Sequence, residues 1–174
     1  MSVSQSSLSA TESAERDAFA FRIAFAASIG FTLGYQLGWD FPFLPSLFAV
    51  QLLSARRSLD LKRAFGFVAL MAVGCVVSLM IALIFVDRPL NFIIIMGLVI
   101  FLEFLALARG QAAAGIFLIT TSFVPMMALS SLDLAYALVH DLIVGSILAL
   151  LLTFLAHALF PSHVLAEQDD RKVL

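Results

Sequence analysis

Six apolar runs follow one another with almost nothing between them, and no other property of the chain narrows its fold so far. They cover roughly residues 18–38, 41–54, 64–86, 89–108, 111–131 and 134–160. A helix rises ~1.5 Å per residue and the hydrocarbon core of a bilayer is ~30 Å thick, so ~20 apolar residues suffice to cross it. Five of the six runs reach that length; the second is shorter and carries Pro42 and Pro45 in its first turns. A water-soluble domain of 174 residues has nowhere to hide such runs: 62% of the residues are hydrophobic and 13% charged, too little polar surface to clothe it. The expectation is an all-α polytopic membrane bundle of about six transmembrane helices in one domain over residues 18–161.

Charge in the loops orients the bundle. If all six runs cross, Arg16, Arg22, the cluster Arg56, Arg57, Lys62 and Arg63, then Arg109, Arg171 and Lys172 fall on one side, and only Arg88 on the other. Basic residues collect on the cytoplasmic side, so both termini are expected there. A re-entrant second run would put the basic cluster outside, against that rule. The first seventeen residues are Ser-rich and polar and read as a disordered tail; Glu12, Glu15 and Asp17 surround Arg16, unlike the basic start of a cleaved signal peptide. Residues 162–174 read as a short polar cytoplasmic tail. The single cysteine, Cys75, lies inside a run, which excludes an internal disulfide and a cysteine metal site and suits a small buried hydrophobe.

The first run reads GFTLGYQLG, with Gly30, Gly34 and Gly38 at four-residue spacing. Small residues at that interval let a second helix approach closely, and such contacts drive association in lipid. Ser28, Thr32 and Gln36 share a second stripe; membrane hydroxyls commonly bond their own backbone, which leaves Gln36 as the residue of interest.

Ionisable groups inside the runs carry the functional argument, because charge in hydrocarbon is costly and marks pathways, relays or buried pairs. His140 and Asp141 stand side by side near the start of the last run. Neighbouring helix residues point about 100° apart, so the two face different surroundings. Asp141 shares its face with Gly145, Ala149 and Ala156, a stripe suited to helix packing; His140 shares its face with the bulkier Tyr136, Val144, Ile147 and Leu151. Glu103 lies six residues before Arg109 among apolar neighbours, which disfavour its charged form. It reads either as a proton carrier or as a structural partner of Arg22 or Arg109. In the fifth run Pro125 frees the carbonyl of Thr121 beside the hydroxyls of Thr120, Thr121 and Ser122, a polar patch of the kind that lines transporter sites or a plain proline kink.

Enzyme signatures are sparse: the chain has no glycine-rich phosphate loop and no HExxH motif. His140 and His157 stand ~25 Å apart along a helix, too far for one metal. No cofactor, metal or nucleic-acid partner is expected. An intramembrane enzyme built on His140, Asp141 and Glu103 is the weakest reading, and a non-catalytic membrane scaffold or assembly subunit is an alternative.

One stretch resembles a known family. Residues 41–83, FPFLPSLFAVQLLSARRSLDLKRAFGFVALMAVGCVVSLMIAL, run from a short Pro-bearing helix through an Arg-rich loop to Arg63, Gly66 and a small-residue helix. The last run has a polar start, Gly145-Ser146 and an aliphatic stretch ending in Phe160-Pro161. This order resembles the fusaric acid resistance-like (FUSC-type) membrane domain, which includes aromatic acid exporters. The resemblance implies a multi-pass protein of the bacterial inner membrane that exports aromatic carboxylic acids or related toxic compounds. It also implies coupling to the proton gradient and a periplasmic adaptor protein. Larger members carry two such membrane halves, so a single half suggests either a homo-oligomer, joined through Gly30, Gly34 and Gly38, or a shorter variant that relies on partners. The mechanism expected has an organic acid drawn to Arg56, Arg57, Lys62 and Arg63, a cluster that otherwise serves topology alone. The acid then passes a site near Gln36, Thr120, Thr121 and Pro125, while Glu103, Asp141 and His140 are the candidates for proton coupling.

Overall fold

The computed structural model describes residues 3–55, 61–85, 87–111 and 113–160. Regular structure among them is entirely helical: α1 (Val3–Gln36), α2 (Leu44–Ala55), α3 (Leu61–Phe85), α4 (Pro89–Ala108), α5 (Ala113–Ser130) and α6 (Leu132–Leu159). Five stretches are long and apolar enough to cross a membrane, namely Arg16–Gln36, Ala64–Phe85, Leu90–Ala108, Ala113–Ser130 and Leu132–Leu159. The exception is α2, whose 12 residues extend ~18 Å, well short of a ~30 Å core. The backbone of α1 is helical from Val3. Ala10 and Ala14 are strong helix formers. Arg56, Arg57 and residues 162–174 lie outside the described residues, as does the side chain of Arg63; Lys62 is exposed in the first turn of α3.

The helices end where local chemistry stops them. At Gly38 (φ 69°) the N–H of Gly38 donates to Tyr35 and that of Trp39 to Gly34. At Gly110 (φ 79°) the N–H of Gly110 donates to Leu107 and that of Gln111 to Ala106. Both are Schellman closures, in which a left-handed residue folds the last carbonyls back onto the chain. Pro89 opens α4, where its missing N–H costs nothing. Ser131 caps α6 by accepting from the N–H of Leu134.

Around this frame α6 forms the spine, packing on α1, α2, α3 and α5. Of its span 44% is buried, against 11% for α4, which packs on α5 and, more lightly, on α3. The buried stripe of α6 includes Asp141, Gly145, Ala149, Thr153 and Ala156, while Tyr136, Ile147 and Leu151 point outward. The two faces expected from the sequence are therefore both present. Phe48, Leu53, Met71, Val124 and Leu142 fill the centre, and the Phe48 and Phe67 rings meet edge to face at 5.7 Å. Cys75 is buried and unpaired. Turns join the helices at two ends: Arg88 and Ser131 lie at one, Arg109 and Phe160 at the other.

The glycines of α1 act within the chain. Beside Gly30 the backbone N of Ser46 lies 3.0 Å from where a Cβ would stand, and beside Gly34 a Cβ would overlap the carbonyl oxygen of Pro42. Ser46 Oγ donates to the carbonyl of Ala27 at 2.6 Å. Thus α2 folds back antiparallel on α1 and occupies the groove from which self-association was expected. Gly38 has open space around it and serves as a helix terminator instead. A second close approach joins α3 and α5, where Gly74 faces Thr120: a Cβ on Gly74 would come 2.6 Å from Thr120 Oγ1.

Candidate functional site

Among the described residues, three separate clusters form around ionisable side chains inside the bundle, while Ser78, Ser146 and Thr153 bond their own helix backbone. The first lies between the α1–α2 turn and α6. Asp141 Oδ2 accepts the backbone N–H of Phe41 at 3.1 Å, and its Oδ1 lies 3.0 Å from His140 Nδ1. The histidine tautomer sets the direction of this contact, since Nδ1 donates to an ionised carboxylate and accepts from a protonated one. Asp141 is buried, whereas the side chain of His140 is 62% exposed and leans back over its neighbour. Trp39 meets the His140 ring edge to face at 6.2 Å. Asp141 therefore ties the turn between the first two helices to the spine, through one of the few N–H groups that no helix satisfies.

The second cluster is Glu103, on the seam between α4 and α5. Thr121 Oγ1 lies 2.7 and 2.9 Å from the two carboxylate oxygens and 2.8 Å from the carbonyl of Phe117. One hydroxyl proton cannot serve all three, so it chooses between the carboxylate and the carbonyl. Beside Glu103 an open cleft of about 310 Å³ is lined by Val99, Leu102, Ala106, Gln111 and Phe117 among others. Glu103 stands about one and a half turns from the end of α4, towards the Arg109 end of the bundle. Asp141 belongs to a different seam and, by connectivity, to the half nearer Arg88.

The third cluster was not anticipated as a unit. Arg22 is 3% exposed, and its Nε donates to the carbonyl of Phe160 at 2.7 Å. That carbonyl belongs to the residue that terminates α6, so the guanidinium meets the negative end of the helix dipole. Phe160 packs on the rings of Phe21 and Phe25, at 6.0 and 5.8 Å. Arg22 Nη2 has no hydrogen-bond partner among the described residues. The structural partner proposed for Glu103 was Arg22 or Arg109; in the structure Arg22 bonds a carbonyl, Arg109 is exposed, and Glu103 bonds Thr121.

The expected substrate-path residues do not share a chamber. Gln36 is exposed at the end of α1, Thr120 is buried against Gly74 and donates back to Phe117, and Pro125 is buried within α5. Only Thr121 meets a titratable group. Two adjacent threonines on a helix point about 100° apart, which sends one to α3 and the other to α4. Thr32 donates to the carbonyl of Ser28 at 2.8 Å, the self-bonding expected of that stripe. Gly74 and Ser78 stand four apart, a small-residue signal that would have located the α3–α5 contact. The burial of Arg22 has no comparable signature in one dimension. Among the described residues no cluster of His, Cys, Asp or Glu could hold a metal ion.

Residues 19–156 match a family described as protein of unknown function (DUF2955). No curated protein and no solved structure matches the chain.

Proposed function

The chain belongs to the DUF2955 family, and from that premise and the Glu103 cleft we propose that it is the membrane subunit of an efflux transporter. It exports aromatic carboxylic acids or related toxic organic compounds across the bacterial inner membrane, coupled to proton entry. It works as a homo-oligomer with a periplasmic adaptor. The cargo classes and the adaptor rest on the fusaric acid resistance-like resemblance, whereas proton coupling rests on geometry.

The observation that carries the reading is the triangle of Glu103, Thr121 and the Phe117 carbonyl. When Glu103 is ionised, Thr121 donates its hydroxyl proton to the carboxylate. When Glu103 is protonated, its own O–H donates to Thr121 Oγ1, which turns its proton to the carbonyl 2.8 Å away. Both protonation states thus keep their hydrogen bonds, and a carboxyl group in an apolar seam exchanges a proton without stranding a buried donor. A purely structural glutamate has no use for the second state. Proton binding at Glu103 alters the bonding between α4 and α5, and that difference biases the two states of the transport cycle. Asp141 and His140 hold the α1–α2 turn against the spine, so that α4 and α5 move against a fixed frame.

The test is accumulation of a labelled cargo of either class, an aromatic acid or another toxic aromatic compound, in cells that can be de-energised, comparing no protein, wild type, Glu103→Gln and Asp141→Asn at matched membrane levels. Wild type lowers accumulation, an uncoupler abolishes the effect, and Glu103→Gln loses at least ten-fold in export rate. Asp141→Asn keeps an acceptor for the Phe41 N–H and retains export. If Glu103→Gln exports as wild type does, proton coupling at this site is wrong. If no variant differs from empty cells, a non-catalytic membrane scaffold becomes the better reading.

A further inference from the structure

The cleft beside Glu103 offers a carboxylate and apolar walls, and that combination selects for charge. Val99, Leu102 and Ala106 of α4 line one side and Phe117 of α5 the other, with Gln111 at the turn between the helices. Among the described residues Glu103 is the only titratable side chain in the lining. Thr121 is its partner from α5, and the charged residue nearest along the chain, Arg109, is exposed beyond the end of α4. A volume of about 310 Å³ lies at the lower end of small-molecule sites and suits a single ring with a short charged arm.

We propose that this cleft binds an aromatic organic cation, an ammonium carried on one ring, with its charge on Glu103 and its ring against Phe117. The inference rests on the transporter reading and narrows the cargo. Of the two classes that the resemblance allows, it selects a related toxic compound of positive charge over a carboxylic acid. An ionised acid entering here would meet a carboxylate with no cation to offset it, at several-fold greater cost than in water. An ammonium meets an opposite charge in an apolar setting and an aromatic face that attracts cations. A hydrocarbon chain of lipid would fill the walls but bring no opposite charge to the carboxylate, whose Thr121 hydrogen bond is neutral.

The chemistry of exchange follows. Protonated Glu103 and a free cation become the ionised carboxylate paired with the bound cation, and one proton leaves to water. Proton and cargo therefore compete for one group, the simplest route by which proton entry drives cation exit. An anionic cargo does not compete with a proton at a carboxylate in this way. The position of Glu103 near the Arg109 end lets cargo enter sideways between α4 and α5 from that half of the bilayer.

The full chain, purified in a maltoside detergent that contributes no ammonium of its own, is titrated with labelled benzyltrimethylammonium, whose charge does not change with pH. Wild type is expected to bind it saturably, and binding weakens as pH falls because protons occupy Glu103. Glu103→Gln loses at least ten-fold in affinity together with the pH dependence, and labelled benzoate does not compete. Should Glu103→Gln fail to fold, Ala113→Phe decides the matter, since it fills the cleft from the start of α5 and leaves the carboxylate in place; it too should lose at least ten-fold. Undiminished binding in either folded variant, displacement by benzoate, or no saturable binding in wild type overturns the assignment. Export of an aromatic acid without cation binding refutes this inference alone. Cation binding without export of either cargo refutes the transporter reading and leaves the site standing.

Discussion

Asp141 shows how one side chain can hold two distant parts of a membrane bundle. It is nearly enclosed, and its Oδ2 satisfies the N–H of Phe41, a hundred positions away in the chain. Asp141→Leu removes the acceptor and leaves that N–H without a partner, which costs about 1–3 kcal/mol. Thermal unfolding in detergent should show the loss, and Asp141→Asn should recover most of it. Trp39, the single tryptophan, stands on the same turn, so its emission should shift to the red in the leucine variant as the turn separates from α6. The adjacency of His140 and Asp141 was legible in the sequence, and so was the division of their faces. Their hydrogen bond was not, because a flexible exposed ring can lean around the helix towards a neighbour that points elsewhere. Arg22 teaches the opposite lesson. Its place near one end of a span suited a topology marker, and only the fold brings the α6 terminus to it.

Between helices, close approach is arranged by glycine at particular positions and not at others. Gly34→Ala would drive a methyl group into the Pro42 carbonyl, and Gly38→Ala would force alanine into a left-handed conformation at an open turn. Overpacking costs ~1–3 kcal/mol and an unfavourable φ about 1–2 kcal/mol. Gly97→Ala, with open space around it, should be neutral or mildly stabilising because alanine favours the helix. Melting curves for the three variants test that ranking. The α3–α5 contact permits a cleaner experiment. Gly74→Ala should destabilise through its collision with Thr120, and Thr120→Ala should relieve it, so the double variant is more stable than the sum of the single effects. Four-residue spacing identified α1 as a packing helix but could not name its partner. A stripe of small residues records that something comes close, and whether that is the next helix or another copy depends on where the chain turns. The positive φ at Gly38 turns it at once.

For the whole molecule, alternate connections place the turns at two ends, and the basic residues make the ends unequal. Cys75 is buried, so single cysteines introduced elsewhere report on themselves alone. Lys62→Cys and Arg109→Cys should be labelled by an impermeant maleimide from one side of the membrane, and Arg88→Cys from the other. Labelling of Lys62→Cys from the same side as Asp40→Cys, which is exposed in the turn between α1 and α2, would show that α2 does not carry the chain across. The number of helices and the five long spans were legible from run length alone, because hydrocarbon tolerates little else. The candidate site was half legible: Glu103 stood out as an acid in oil, while its pairing with Thr121 depended on which of two neighbouring threonines faced α4.

The shortness of α2 bears on how such a chain is made. Twelve residues are too few to be taken into a bilayer as a span in their own right. The groove along Gly30 and Gly34 stands in the helix just before it, and the turn at Gly38 returns the chain onto that groove at once. A hairpin of α1 and α2, with α1 as the template, is therefore the unit expected to insert. Filling the groove should then spoil manufacture before it spoils the finished product, because α2 would lose its template and the segments after it the orientation that depends on it.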